Sequence, residues 1–253
     1  MSITELINKT QSKISYFHSV LLCKFKKNND FTWLSLGENC LSDDILQRHH
    51  RKSYSSVFSS GRSNIDYILD MENDNYENLL NKEHLYTATI GNEHVVRSNY
   101  YDKSSVHYHE LHMNGFEFTH HNPLDKPEHV DAFKRRLTRM TSQKGKSNFI
   151  FLYHHRHCDN QNLLLLKEKL KIFQKFYSTG GKKCFIIFFY QSLVNENLRG
   201  LKLIESTEGI YEFKIDTQHE WAGENQDVFW ARVDDDLIGK MLNTSYNHIK
   251  SMI

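Results

Sequence analysis

Residues 148–153 read Asn-Phe-Ile-Phe-Leu-Tyr, and residues 183–190 read Lys-Cys-Phe-Ile-Ile-Phe-Phe-Tyr. Both runs are apolar without polar alternation, which is typical of strands buried on both faces of a parallel sheet. A helical pattern over about 160–177 lies between them and ends at Gly180-Gly181, a typical C-terminal capping signal. This stretch therefore predicts a β-α-β unit with a helix covering a parallel sheet.

Further strands and helices alternate on both sides of this unit. The predicted strands lie at 31–36, 211–215 and 228–233, and the predicted helices at about 40–49, 127–141 and 235–250. A loop is predicted after the strand at 183–190, and the aromatic segment at about 84–120 is predicted to be an inserted β-rich flap. The expected fold class is α/β, a three-layer sandwich with a mainly parallel sheet.

The length and composition indicate one folded domain. A chain of 253 residues suits a single large α/β domain, which is predicted to span residues 31–253. Only 2 prolines and 11 glycines argue against long linkers. Apolar residues at near-helical spacing over residues 3–22 predict an N-terminal docking helix within residues 1–30.

The charge and cysteine content exclude several classes of protein. With 32 Lys and Arg against 31 Asp and Glu, the net charge of +1 disfavours a general nucleic-acid binder. No apolar run approaches the roughly 20 residues that span a bilayer, and the N-terminus is too polar for a secretory signal. Four cysteines without Cys-x-x-Cys spacing indicate reduced thiols, so a cytoplasmic protein without an integral membrane segment is expected. The sequence does not indicate an oligomeric state.

One cysteine stands where a predicted strand turns into a predicted helix. Residues 31–42 read Phe-Thr-Trp-Leu-Ser-Leu-Gly-Glu-Asn-Cys-Leu-Ser. The N-terminal end of a helix stabilises a thiolate, the nucleophilic form of cysteine, so Cys40 is predicted to be a nucleophile. Gly37 provides the turn, and the helix N–H groups and the Asn39 side chain are predicted to stabilise an oxyanion. The remaining cysteines are predicted to be inert: Cys23, Cys158 and Cys184.

Polar side chains follow the predicted strands at their carboxyl ends, where parallel α/β sheets bind ligands. A cysteine nucleophile needs an imidazole and a third group that orients it. Asp216 and His219 offer both from one segment. His155 is a second candidate imidazole, because consecutive strand residues point to opposite faces and only one of His154 and His155 faces the site. The residues alone therefore predict a catalytic set of Cys40, with His219 or His155 as the base and Asp216 as the orienting carboxylate.

A polar loop and a basic helix have both a structural and a functional interpretation. Ser60, Arg62 and Asn64 either cap a helix or form an anion- or sugar-binding loop over Cys40. Arg156 is a further predicted substrate contact. The basic helix at 127–141 either presents a solvated face or contacts a phosphate, such as the 3′-phosphate of coenzyme A. No metal is predicted, because the histidines at 107–112 with Cys158 or Asp159 lack the spacing of a closed ligand set.

Several motifs resemble known families. Asp216-x-x-His219 resembles the corresponding block of SGNH-type hydrolases. Ser-Leu-Gly-Glu-Asn-Cys at 35–40 resembles a bacterial family of papain-like cysteine peptidases, as do segments at 55–60, 115–121 and 134–139. That family is often found near surface-polysaccharide genes. The resemblance implies Cys40 as the nucleophile and a histidine at 120–121, His121 in preference to His120, as a further candidate for the base. The Gly-x-Asn-Cys turn is also similar to capsule O-acetyltransferases that use a Gly-Asn-Cys turn and bind coenzyme A.

These resemblances imply a thiol enzyme and leave three hypotheses. The first is an O-acetyltransferase that transfers an acetyl group from acetyl-coenzyme A to a bacterial surface polysaccharide, such as capsule or lipopolysaccharide, or to its sugar precursor. The alternative is a papain-like cysteine peptidase or another thiol hydrolase. The third is a non-catalytic glycan- or nucleotide-binding protein in which Cys40 is structural.

Overall fold

A computed structural model describes residues 31–221 and 229–253 of the chain. The docking helix predicted within residues 1–30 lies outside the described residues. The strands are β1 (Phe31–Gly37), β2 (Leu85–Ile90), β3 (Glu93–Ser98), β4 (Phe116–Phe118), β5 (Asn148–His155), β6 (Cys184–Leu193), β7 (Gly200–Thr207) and β8 (Ile210–Thr217). The helices are α1 (Leu41–Arg48), α2 (Ile65–Asn73), α3 (Pro127–Ser142), α4 (Leu163–Tyr177) and α5 (Asp235–Ser251).

The main sheet contains five strands in the order β1-β5-β6-β8-β7. β6 is parallel to both β5 and β8, and the edge strand β7 runs antiparallel to β8. Phe149 and Phe151 pack against Tyr177 of α4 with ring centroids 5.0 and 4.9 Å away. The α/β class with a mainly parallel sheet is therefore confirmed, and a three-layer arrangement is consistent with it.

A second, three-stranded antiparallel sheet has the order β2-β3-β4 and lies within the segment predicted to be a β-rich flap. Its last strand is tied to the loop before α2, because Arg62 and Glu117 exchange backbone hydrogen bonds of 2.9 Å in both directions. This bridge brings the polar loop at 59–64 and the flap together beside the first strand end.

Two secondary-structure predictions in the second half of the chain are wrong. The segment predicted as a loop after β6 contains β7, whose Lys202, Leu203 and Ile204 are exposed, so it lacks the apolar signature of a buried strand. The strand predicted at 228–233 is instead a 3-10 helix over Phe229–Asp234. Asp234 is buried there and accepts a hydrogen bond of 2.8 Å from Arg199, which fixes the chain just before α5.

No helix in the part of the chain that the structure describes is both long and apolar enough to cross a membrane.

Candidate active site

The carboxyl ends of β1 and β5 are joined directly. The Glu38 N–H donates to the His154 carbonyl at 3.1 Å, and Ser42 Oγ donates to the Gly37 carbonyl at 3.0 Å and accepts from the His154 N–H at 3.2 Å. Gly37 has a φ of +140°, and a Cβ there would come within 3.2 Å of Ser63 Oγ. The predicted turn after the first strand therefore requires glycine, and it places Glu38 against β5.

Glu38 is completely buried, and its carboxylate accepts three hydrogen bonds. Tyr153 Oη donates to Oε1 at 2.8 Å, His155 Nδ1 lies 2.7 Å from the same oxygen, and the Arg156 backbone N–H donates to Oε2 at 3.1 Å. His112 Nε2 lies 4.0 Å from Oε2. The carboxylate is thus held rigidly, and it fixes one nitrogen of the His155 ring.

Glu38 and His155 form a buried ion pair. Burial raises the pKa of Glu38, but the charge of His155 and its hydrogen bond outweigh burial and lower the pKa to about 2. Burial lowers the pKa of His155, but the Glu38 charge and a hydrogen bond with the Cys158 side chain outweigh burial and raise the pKa to about 9. At neutral pH the pair is therefore a carboxylate and an imidazolium.

Cys158 is the thiol beside this pair. It is half-buried in the loop after β5, and it lines an open cavity of about 750 Å³ together with His107, His109 and Asn114. Its Sγ donates a long hydrogen bond of 3.8 Å to the His107 carbonyl oxygen. His155 Nδ1 is engaged by Glu38, whereas Nε2 is buried and makes no hydrogen bond of ordinary geometry among the described residues, so the Cys158 side chain acts on the ring through a longer polar contact. A thiol, an imidazole and a carboxylate thus follow one another, as nucleophilic cysteine chemistry requires.

Cys40 lies at the strand-to-helix turn, but its surroundings differ from those predicted. It is half-buried, and Thr119 and the Gly61 backbone contribute hydrogen bonds to its side chain. Burial and the nearby Asp43 carboxylate raise its pKa to about 11, although the Arg62 charge acts in the opposite direction. No imidazole is hydrogen-bonded to Cys40 in the described part of the chain. Asn39 Oδ1 accepts the Leu41 N–H at 3.0 Å, so this oxygen is engaged by the backbone at the start of α1.

The structure does not bring the predicted histidine partners to Cys40. The Asp216 carboxylate pairs with Lys202 at 2.6 Å and with Lys214 at 3.1 Å rather than with His219. These lysines outweigh the effect of burial and lower the pKa of Asp216. His219 is exposed, and its carbonyl accepts a hydrogen bond of 3.3 Å from Gln191. The expected pair fails because β7, predicted as a loop, supplies Lys202.

His121 belongs to a separate aromatic cluster. Its ring centroid lies 4.9 Å from that of His129 and 5.2 Å from that of Phe133, and Arg136 Nη2 lies 3.4 Å from its Nε2. Burial and the Arg136 charge lower its pKa to about 4. Thr119, two residues earlier, is the residue of this segment that contacts the Cys40 thiol.

The predicted binding residues have defined structural partners. Ser60 ends a 3-10 helix, and Arg62 Nη1 pairs with Glu117 Oε1 at 3.2 Å. Asn64 caps α2 by accepting the Tyr67 N–H at 3.0 Å, which favours the capping interpretation of this residue. Arg156 pairs with Glu220 at 2.9 Å and lines a second, smaller cavity at the sheet edge.

The histidines considered as metal ligands do not converge. His109 Nδ1 accepts the Leu111 N–H at 3.3 Å, and His112 lies against Glu38. Over residues 31–221 and 229–253, no group of three or more His, Cys, Asp or Glu side chains is arranged to hold a metal ion.

Two of the three side chains in this set of Glu38, His155 and Cys158 were missed by the sequence analysis. Glu38 was not singled out, and Cys158 was predicted to be inert, whereas His155 was a named candidate. A signal was present for both: Glu38 is the second residue after the first predicted strand, and Cys158 lies three residues after His155 in the segment at the next strand end. Their proximity depends on β1 and β5 being neighbours in the sheet, and strand order cannot be read from the motifs alone.

Comparison with known proteins identifies one family. A family model described as “Putative papain-like cysteine peptidase (DUF1796)” matches residues 31–196, which is more than half of the chain. No curated protein and no solved structure gives a significant match. The matched region contains Glu38, Cys40, His155 and Cys158. The resemblance to papain-like cysteine peptidases is therefore confirmed, and the chain belongs to this family.

Proposed function

We propose that this protein is a thiol hydrolase that cleaves peptide or related amide bonds, with Cys158 as the nucleophile. His155 would carry the proton, and Glu38 would orient the imidazole. The observation that carries the proposal is the completely buried Glu38, which holds His155 at 2.7 Å beside a half-buried thiol on an open cavity. Family membership supports the same class of chemistry.

The proposed reaction has two stages that use the same three side chains. The Cys158 thiolate attacks the carbonyl carbon of the amide and forms a C–S bond, and His155 donates its proton to the departing nitrogen as the C–N bond breaks. Neutral His155 then takes a proton from water while the water oxygen attacks the thioester carbon. The C–S bond breaks, the acid is released, and the thiolate and imidazolium are restored. Glu38 remains ionised throughout, because its pKa of about 2 lies far below neutral pH.

The environment of Cys40 favours Cys158 as the nucleophile. A thiol with a pKa of about 11 is almost entirely protonated at neutral pH, and the protonated form is a poor nucleophile. Asp43 lies near the Cys40 thiol and opposes its ionisation, whereas His155 is a cation beside Cys158. These differences favour Cys158, and Cys40 as the nucleophile is the alternative that the experiment must exclude.

Matched cysteine variants test the proposal. Hydrolysis of fluorescein-labelled casein and of a fluorogenic peptide library would be measured for the wild type, Cys158→Ser and Cys40→Ser. Cys158→Ser is expected to lose activity by a factor on the order of 10⁴ or more, and Cys40→Ser is expected to keep most of it. The reverse pattern would overturn Cys158 as the nucleophile. Failure of the wild type to hydrolyse any peptide would overturn the proposed activity.

The acetyl transfer expected from the sequence is tested in the same samples. Intact mass would be measured after incubation with acetyl-coenzyme A, with and without a capsular oligosaccharide acceptor. An acetyl adduct that disappears in one cysteine variant, in a protein that cleaves no peptide, would favour the transferase and a sugar acceptor. The proposed hydrolase predicts no such adduct at either thiol.

A further inference from the structure

A second cavity of about 210 Å³ opens at the carboxyl edge of the sheet, on the face opposite the ion pair. Asn39, His154, Gln191 and Trp221 contribute to its lining. It is distinct from the cavity beside Cys158, because His154 and His155 are consecutive residues of β5 and point to opposite faces. His157 lines both cavities, so they adjoin across the short segment between β5 and Cys158.

The His154 side chain lines this cavity and makes no hydrogen bond to the residues that the structure describes. The side chain is 3% exposed, and neither Nδ1 nor Nε2 has a hydrogen-bonding partner among the described residues. Its ring lies between aromatic neighbours, with centroids 5.1 Å from Phe189 and 5.6 Å from Trp221. A buried polar group without a partner is unfavourable, so two unpaired nitrogens at a cavity wall indicate a group that binds there.

The charge state of His154 restricts what this group is. Burial lowers its pKa to about 3, so the ring is neutral at neutral pH and offers one N–H donor and one nitrogen acceptor. The rest of the wall is electrically balanced. Arg156 pairs with Glu220 at 2.9 Å. The Gln191 side chain accepts a hydrogen bond of 3.2 Å from the Trp221 backbone N–H and donates one of 3.3 Å to the His219 carbonyl.

These features select among ligand groups by hydrogen-bonding capacity. The two ring nitrogens of His154 point in widely different directions, so one ligand group pairs only with the nitrogen that faces the cavity. A carboxylate offers only acceptors, so it cannot pair with the acceptor nitrogen, and it would bring an uncompensated charge into the cavity. An ammonium offers only donors, and an apolar side chain offers neither. A primary carboxamide carries both a donor and an acceptor, is planar and uncharged, and suits a narrow cavity flanked by an indole ring.

We propose that this cavity binds the side-chain carboxamide of a glutamine or asparagine residue and so acts as a specificity pocket beside the Cys158 cavity. The inference rests on the proposed function only in placing the carboxamide on the substrate that the thiol attacks. His154 would then be a binding residue that selects substrate without taking part in the chemistry.

Binding can be measured without catalysis in the full-length Cys158→Ala protein. The probe is N-acetyl-L-glutamine N-methylamide, whose only primary carboxamide is on the side chain, and the matched controls are the corresponding glutamate and methionine derivatives. Protein-observed NMR titration would give the three dissociation constants. We expect the glutamine probe to bind at least about tenfold more tightly than either control, since roughly one hydrogen bond to a buried group separates them.

Two variants made in the same Cys158→Ala background test His154 itself. His154→Phe removes both nitrogens and should weaken the glutamine probe by about tenfold or more, whereas His154→Gln keeps a donor and an acceptor and should retain binding within a few-fold. The Phe variant is expected to fold because the neighbouring rings are apolar. If it does not fold, the three probes still decide the matter in the Cys158→Ala protein.

Equal binding of the glutamate or methionine probe, or unchanged binding in a folded His154→Phe variant, would overturn the pocket. Carboxamide binding by a protein whose wild type hydrolyses no peptide would overturn only the proposed hydrolase. Hydrolysis with no preference for glutamine or asparagine near the scissile bond would overturn only the pocket as a specificity determinant.

Discussion

Cys40 and Cys158 follow neighbouring strands of one sheet, and their surroundings are opposite. Cys40 begins an eight-residue helix, where the helix dipole favours a thiolate, but burial and Asp43 raise its pKa to about 11. Cys158 has no helix behind it, yet it adjoins an imidazolium fixed by a buried carboxylate. The comparison teaches that the position of a cysteine at a helix start predicts reactivity less well than the charges and the burial around its sulfur.

The largest expected effect comes from breaking the ion pair beside Cys158. Glu38→Gln removes the buried carboxylate, so the ion pair with His155 is lost and the buried ring must give up its proton; the free energy of unfolding should fall by about 3–5 kcal/mol. Urea denaturation at pH 6 measures the change. The matched control is Glu220→Gln, since Glu220 is exposed and pairs with Arg156 at the surface, where the loss should stay within about 1 kcal/mol. Equal losses in the two variants would contradict a special role for the buried pair.

The same pair makes stability depend on pH in a defined direction. The pKa of His155 is raised to about 9 in the folded state, so its contribution is complete below about pH 6.5 and is lost as the pH rises through 9. The pKa of Glu38 is lowered to about 2, so its contribution is complete above about pH 4.5 and is lost as the pH falls through 2. The pair therefore stabilises the fold most between about pH 4.5 and 6.5.

Comparing unfolding at pH 7.5 and pH 8.5 isolates the His155 imidazole. The wild type should lose stability over this interval, and the loss should be largely absent in Glu38→Gln, because His155 then has no carboxylate to raise its pKa. The lowered pKa values of His109, His112, His121 and His154 add stability as the pH rises through about 6.5, so the interval begins at pH 7.5, where these rings are almost entirely neutral in both states. A wild-type profile that is flat over this range would indicate that His155 is neutral in the fold.

Alkylation rates compare the two thiols directly. A pKa raised from 9.0 to about 11 leaves about 100-fold less thiolate at neutral pH than an ordinary cysteine has. Iodoacetamide at pH 7, followed by peptide mass spectrometry, should therefore label Cys158 well before Cys40. Faster labelling of Cys40 would reverse the assignment of the nucleophile.

The smallest effect concerns the second cavity. His154→Phe removes two unpaired buried nitrogens from an aromatic setting, so the free protein should gain about 1–2 kcal/mol of unfolding free energy. A binding residue retained at the expense of stability would behave in this way. Destabilisation by a similar amount, measured by urea denaturation, would indicate that the nitrogens are satisfied by bound water in solution.

The sequence predicted the features that depend on local pattern and missed those that depend on strand order. The apolar runs of β5 and β6 predicted the parallel core because their side chains are buried on both faces. The exposed side chains of β7 gave no sign of an edge strand, so Lys202, which pairs with the Asp216 carboxylate, was not recognised. Glu38 was missed because its significance comes from Tyr153, His155 and Arg156, more than a hundred residues away along the chain. His155 was found because strand ends bind ligands whatever the neighbouring strand is.

Asp234, the residue just before the C-terminal helix α5, links that helix to the wall of the second cavity. Its buried carboxylate accepts hydrogen bonds from Trp221 Nε1 at 2.8 Å and from Thr217, and it directly precedes α5. The indole that lines the second cavity is therefore anchored by a residue that belongs to no catalytic segment. Substitutions in this anchor would alter substrate preference without contacting either thiol. Sequence changes in the last 20 or so residues therefore offer a route by which related proteins diverge in specificity and keep the same chemistry.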